Sequence, residues 1–146
     1  MYMEKLMELK PHIDMIIKQA KRYKNYTRYK DNLFNVNDQV RRRKSARDLE
    51  LTKEIYDKLI LQILLYELND EDLLLVFALM HFGEKKYYDV KAKPANKEEI
   101  FRELFEEDLN YSLNSKPNRN NLVNYMIKLS SLPQNLEEGL ELIELG

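Results

Sequence analysis

The chain has 146 residues, 44% hydrophobic and 34% charged, with a formal net charge of −1. That length suits one domain burying roughly two-thirds of its unfolded surface. Only 3 glycines and 4 prolines argue against an all-β fold built on tight turns, and the lack of cysteine excludes disulfides, thiolate metal sites and cysteine nucleophiles. The first ten residues carry Glu4, Lys5, Glu8 and Lys10, so they lack the apolar core of a signal peptide. No apolar run reaches the roughly 18 residues of a membrane span, and a cytoplasmic location is expected.

In chain order, residues 1–10 form at most a short docked or frayed turn of helix. A helix is predicted from Pro11, which suits a first turn. Ile13, Ile16, Ile17, Ala20 and Tyr23 line one face of it; Lys18, Lys21, Arg22 and Lys24 line the other. Residues at about 25–45 have no clean period and are predicted to be a helix end followed by a loop, a mobile segment. A second helix runs from about Ser45 or Asp48 to Tyr66. Leu51, Ile55, Leu59, Ile63 and Tyr66 form its inward stripe, with Ile60 and Leu64 in support.

The most informative stretch is LNDEDLLLVFALMHFG, Leu68 to Gly83. Asn69 is placed to cap a helix, with Asp72 as a weaker capping-box partner. Leu68 and Leu73 hold the two staple positions. Asp70, Glu71 and Asp72 complement the positive end of the helix dipole. Gly83 stands where a left-handed residue closes a helix. Leu73 to Phe82 is apolar on nearly every side, which predicts a helix buried all round. A buried parallel strand is the competing reading. Leucine, alanine and methionine disfavour it, as does the absence of βαβ spacing.

GEKKYYDVKAKPA follows as a polar loop. Asn96 and Glu99 suggest a capping box for the next helix, with Ile100, Phe101, Leu104, Phe105, Leu109 and Leu113 inward. A helix over about Asn121–Leu129 turns Leu122, Tyr125, Met126 and Leu129 inward. Ser131, Pro133 and Gln134 open the last helix, striped by Leu136, Leu140, Ile143 and Leu145. Gly139 inside it costs about 1 kcal/mol relative to alanine, or admits a close helix approach. The prediction is an all-α fold, a single domain over residues 1–146: a bundle of five or six helices around a buried central helix at about 70–82.

Four segments, in this order, resemble a family of small bacterial proteins catalogued as a domain of unknown function, number 3775. They are LKPHIDMIIKQAKRY, LNDEDLLLVFALMHFG, LVNYMIKL and LEEGLELI. The resemblance implies an all-helical domain and brings no established activity. The chain departs from the family after Gly83, where Glu84, Lys85 and Lys86 replace a sequence close to Arg-Gly-Asp.

Charge is unevenly spread. Residues 1–48 hold 13 Lys/Arg against 6 Asp/Glu; the remainder hold 11 against 19. Such asymmetry points to contact between the halves, a partner for one half, or an oligomer joining both. Lys21, Arg22, Tyr26, Arg28, Arg41, Arg42, Arg43, Lys44 and Arg47 make a basic, aromatic segment. Cations there would neutralise phosphates and rings would stack on unpaired bases. A solvated face answering the acidic half is the commoner meaning of such a pattern. Glu84, Lys85, Tyr87 and Tyr88 form a candidate partner-binding loop, against the plainer reading of a polar connection. His81, near a helix C-terminus, is more often structural than catalytic. His12 has no obvious carboxylate partner in the sequence. Adjacent carboxylates such as Glu106, Glu107 and Asp108, or Glu137 and Glu138, diverge on a helix and read as solvated faces; Glu103 and Glu107, at i and i+4, repel. No zinc-protease, phosphate-loop or serine-hydrolase motif is present, so neither a cofactor nor a metal is expected. The expected role is that of a non-enzymatic interaction protein, an adaptor or inhibitor, for a protein partner or a second copy of itself. Nucleic-acid binding through residues 18–47 is the alternative.

Overall fold

A computed structural model describes the backbone of residues 2–34, 44–115 and 119–145, and the side chains of these except residues 25–34, 44–51 and 111–115. The described residues form seven α-helices and one short 3-10 turn. These are α1 (Tyr2–Phe34), α2 (Lys44–Tyr66), α3 (Asp70–Lys85), α4 (Tyr87–Ala92), the turn Pro94–Asn96, α5 (Lys97–Ser115), α6 (Arg119–Lys128) and α7 (Leu132–Glu144). The fold is all-α, with one more helix than the upper sequence estimate. The extra one is α4, whose polar sequence YYDVKA reads as loop.

Helix α3 is the centre. Asn69 Oδ1 accepts the Asp72 amide at 2.8 Å, and every residue from Asp72 to Gly83 is buried. The strand alternative is thereby excluded. Asp72 does not act as a simple capping-box partner: its carboxylate lies 3.8 Å from Lys5 Nζ of α1. Helix α7 packs along one side of α3 and α5 along another; α1 spans α7 and α2. Phe82 and Phe101 meet edge to face, with centroids 5.3 Å apart.

Gly83 does not end the helix. Helix α3 continues to Lys85, and Gly83 packs against the backbone of α7. A Cβ at Gly83 would collide with the Asn135 carbonyl oxygen and lie 2.6 Å from the Gly139 nitrogen. A Cβ at Gly139 would lie 2.6 Å from the Leu79 carbonyl oxygen. The two glycines let the backbones of α3 and α7 touch, and this contact offsets the helix propensity each sacrifices.

The first helix begins at Tyr2, not Pro11, and carries Pro11 in its interior. Proline within a helix costs about 3 kcal/mol through the lost amide and ring clash. Packing of the preceding turns opposes that cost. Leu6 is fully buried, and the Tyr2 ring lies 4.8 Å from Phe105 and 5.9 Å from Phe101. Glu98 Oε1 accepts the Tyr2 amide at 3.2 Å, a cap supplied by another helix.

Cations close three other helix ends. Arg119 donates to the Tyr66 and Leu68 carbonyls after α2. Lys24 Nζ donates to Ile127 O of α6 at 3.0 Å, and Lys97 Nζ to Ile143 O of α7 at 2.9 Å. Desolvation at the first of these lowers the pKa of Lys24. One inward assignment changes in α5 and one in α6. Leu109 and Tyr125 are exposed, while Val123 and Ile127 fill the space beneath α6. Leu51 and Leu113 lie outside the described side chains.

Candidate functional site

The largest departure from the sequence reading is in α2. Ile55, Leu59, Ile60, Ile63 and Tyr66, all assigned to the core, are exposed, and so is Tyr56. The inner face is instead Asp57, Leu61, Leu64 and Leu65, continued by Leu68 after the helix. Ile55, Tyr56 and Ile63 expose 59%, 62% and 55% of their surface, whereas Asp57 exposes 4%. A carboxylate is inside and a row of large apolar side chains outside.

Polar bonds set this rotation. Gln19 Nε2 of α1 donates to both the carbonyl (3.0 Å) and the Oδ1 (3.1 Å) of Asp57. Arg22 Nε lies 3.9 Å from the same Oδ1. Two turns along α2 from that clip, His12 Nε2 meets the Leu64 carbonyl at 2.6 Å. A carbonyl only accepts, so His12 carries its proton on Nε2. Turning α2 to bury Ile55, Leu59 and Ile63 would break these bonds and leave the buried Gln19 amide unpaired, at a cost of about 1–3 kcal/mol.

The outer face therefore belongs to the folded protomer. Tyr56, Leu59, Ile63 and Tyr66 recur at intervals of three and four residues, the spacing that lines one side of a helix with a continuous seam. Tyr66 is held at the end of this seam. Its hydroxyl donates to Asn120 Oδ1 at 2.7 Å, and the Arg119 guanidinium sits 5.8 Å from its ring centroid. Arg119 also pairs with Asp70 at 2.8 Å.

The other candidate residues are dispersed. Glu84 and Lys85 belong to the last turn of α3, and Tyr87 and Tyr88 to α4, so they do not form a loop. Tyr87 donates to Glu141 Oε1 of α7 at 3.3 Å, and Lys91 bonds the same oxygen at 2.8 Å. The Lys91 bond lowers the Glu141 pKa, and the Glu141 bond raises that of Lys91. Tyr88 is exposed.

His81 Nδ1 lies 3.0 Å from Asp108 Oδ2 of α5, with both side chains nearly buried. Asp108 is thus a nearly buried partner of His81 and not part of a solvated acidic face. Phe77 packs on the His81 ring edge to face at 4.3 Å. This pair clips α3 to α5, while the Tyr87 group faces α7; the structure does not bring them together. Among the described residues, no cluster of three His, Asp or Glu side chains is placed to hold a metal ion.

Two basic candidates have described side chains, and both face acids of this chain. Lys21 pairs with Glu137 of α7, and Arg22 approaches Asp57. Lys10 bonds Glu144 at 2.9 Å, which raises its pKa. Contact between the basic and acidic halves thus accounts for part of their charge difference. The side chains of Tyr26, Arg28, Lys44 and Arg47, and residues Arg41, Arg42 and Arg43, lie outside the described residues. No described helix is long and apolar enough to cross a membrane. No family model, curated protein or solved structure matches the chain.

Proposed function

We propose that this is a non-enzymatic interaction protein, of adaptor or inhibitor type and cytoplasmic, which binds a macromolecular partner through the outer face of α2. One observation carries the reading: six large apolar side chains are exposed on a helix whose rotation is fixed by bonds from His12 and Gln19. Together they expose roughly 650 Å² by ordinary residue areas, above the size at which apolar patches on a monomer usually mark an interaction site. The exposed ring of Tyr88 offers much less. Nucleic-acid binding is the weaker reading, because Lys21 and Arg22 already face Glu137 and Asp57.

The test is a photo-activatable side chain at position 63, with a control at the exposed Glu103 of α5. Irradiation in a cell extract is expected to give higher-mass adducts at 63 and few at 103. Equal yields at both positions, or none at 63, would remove the reading.

A further inference from the structure

Resting on that reading, we propose that the occupant of the outer α2 face is a second copy of this chain, paired antiparallel through α2 about a two-fold axis level with residue 61. The first support is the spacing of the seam. An antiparallel pair of helices packs each position of a 3-4 repeat against its complement. Centred at 61, Leu59 meets the partner's Ile63 and Tyr56 meets the partner's Tyr66. The same layers recur on the other side of the axis. Two aliphatic layers lie at the centre and an aromatic layer lies at each end. A two-fold interface demands this self-complementarity, because each copy presents the same patch.

The second support is charge. The seam positions 56, 59, 63 and 66 carry none, so pairing buries no ion there. In the flanking row, Ile60 faces the partner's Ile60, and exposed Lys53 faces the partner's exposed Glu67. The symmetry makes that ion pair twice. A parallel, in-register pair would separate Lys53 from the partner's Glu67 by about 21 Å along the axis. Charge therefore favours the antiparallel direction.

The third support is area. Self-pairing of the six side chains buries up to about 1,300 Å² in total, within the roughly 1,200–2,000 Å² of a standard stable interface. Met15 adds to it at one edge. It is exposed and lies in the same row of α1 as His12 and Gln19, which both bond α2.

Sedimentation velocity of the full chain from about 1 to about 100 µM tests the pairing. The native chain is expected to sediment as a dimer within this range. Ile63→Lys is expected to weaken association at least about 100-fold while keeping the helical circular-dichroism spectrum, because the side chain is outside the protomer core. Lys53→Glu is expected to weaken it about tenfold, and adding Glu67→Lys to restore it. The cysteine-free chain permits a geometric check: under oxidation Ile60→Cys should form an interchain disulfide and Lys53→Cys should not. A native chain that is monomeric at about 100 µM would overturn the proposal. So would a dimer that survives Ile63→Lys, or equal cross-linking at 53 and 60. If the chain is monomeric yet position 63 cross-links to a different protein, self-pairing is wrong and the partner-binding reading stands. A monomer with no adduct at 63 overturns both.

Discussion

Helices α2 and α3 are both rich in leucine and isoleucine-sized side chains, yet the fold uses them in opposite ways. Helix α3 is covered on all sides by α1, α5, α6 and α7 and spends its apolar surface on the core. Among the described residues, helix α2 is covered on the face that meets α1 and α6, and its outer row is exposed. Apolar content alone therefore does not say which face of α2 is buried. The difference lies in the polar residues: α3 has its acids only in the first turn and after Gly83, whereas α2 places Asp57 among its inward leucines and binds it to Gln19. One buried carboxylate with a partner fixes which of two apolar faces turns inward.

That contrast can be broken at the core first. Phe82→Ala removes a fully buried ring that meets Phe101 and is expected to destabilise the protein by about 3–5 kcal/mol in denaturant unfolding. A cost under about 1 kcal/mol would mean that α3 is not the packed centre. Gly139→Ala is the next largest. The new methyl would meet the Leu79 backbone, and the overpacking should cost about 1–3 kcal/mol even after the gain in helix propensity. A stabilised variant would show that the two helices are not in backbone contact.

The smallest expected effect concerns pH. Glu141 has a folded pKa below its ordinary 4.5 because Lys91 bonds its charged form. An acid with a lowered folded pKa stabilises the fold above its unfolded value and loses that contribution as pH falls through the folded one. The stability difference between the native chain and Glu141→Gln should thus be full at neutral pH and shrink below 4.5. A difference that grows in acid would contradict the Glu141–Lys91 assignment.

Much of the fold can be read from residues close in sequence. Asn69, the acids after it and nine apolar residues between Leu73 and Phe82 define α3 with no reference to the rest of the chain. The exceptions depend on residues far apart. Gly83 carries the ordinary mark of a helix end, but the helix runs past it and its bare Cα packs against Asn135 and Gly139, more than 50 residues away. Pro11 looks like a start because the packing of Tyr2 on Phe101 and Phe105 cannot be seen in the first ten residues. The α2 face is ambiguous in the sequence for the same reason. Leu51, Ile55, Leu59 and Ile63 make a regular stripe, and so do Asp57, Leu61, Leu64 and Leu68. Choosing between them requires Gln19, 38 positions from Asp57. The candidate site was therefore visible as a pattern, but its direction was not.

Unfolding temperature as a function of protein concentration, for the native chain and Ile63→Lys side by side, tests the assignment of the outer α2 face most directly. A folded dimer gains stability by mass action, so the native midpoint should rise with concentration; the variant's should stay constant and match the native value at high dilution. A native midpoint that ignores concentration, or a variant that melts several degrees lower even at high dilution, would mean that Ile63 serves the protomer's own core and not an interface.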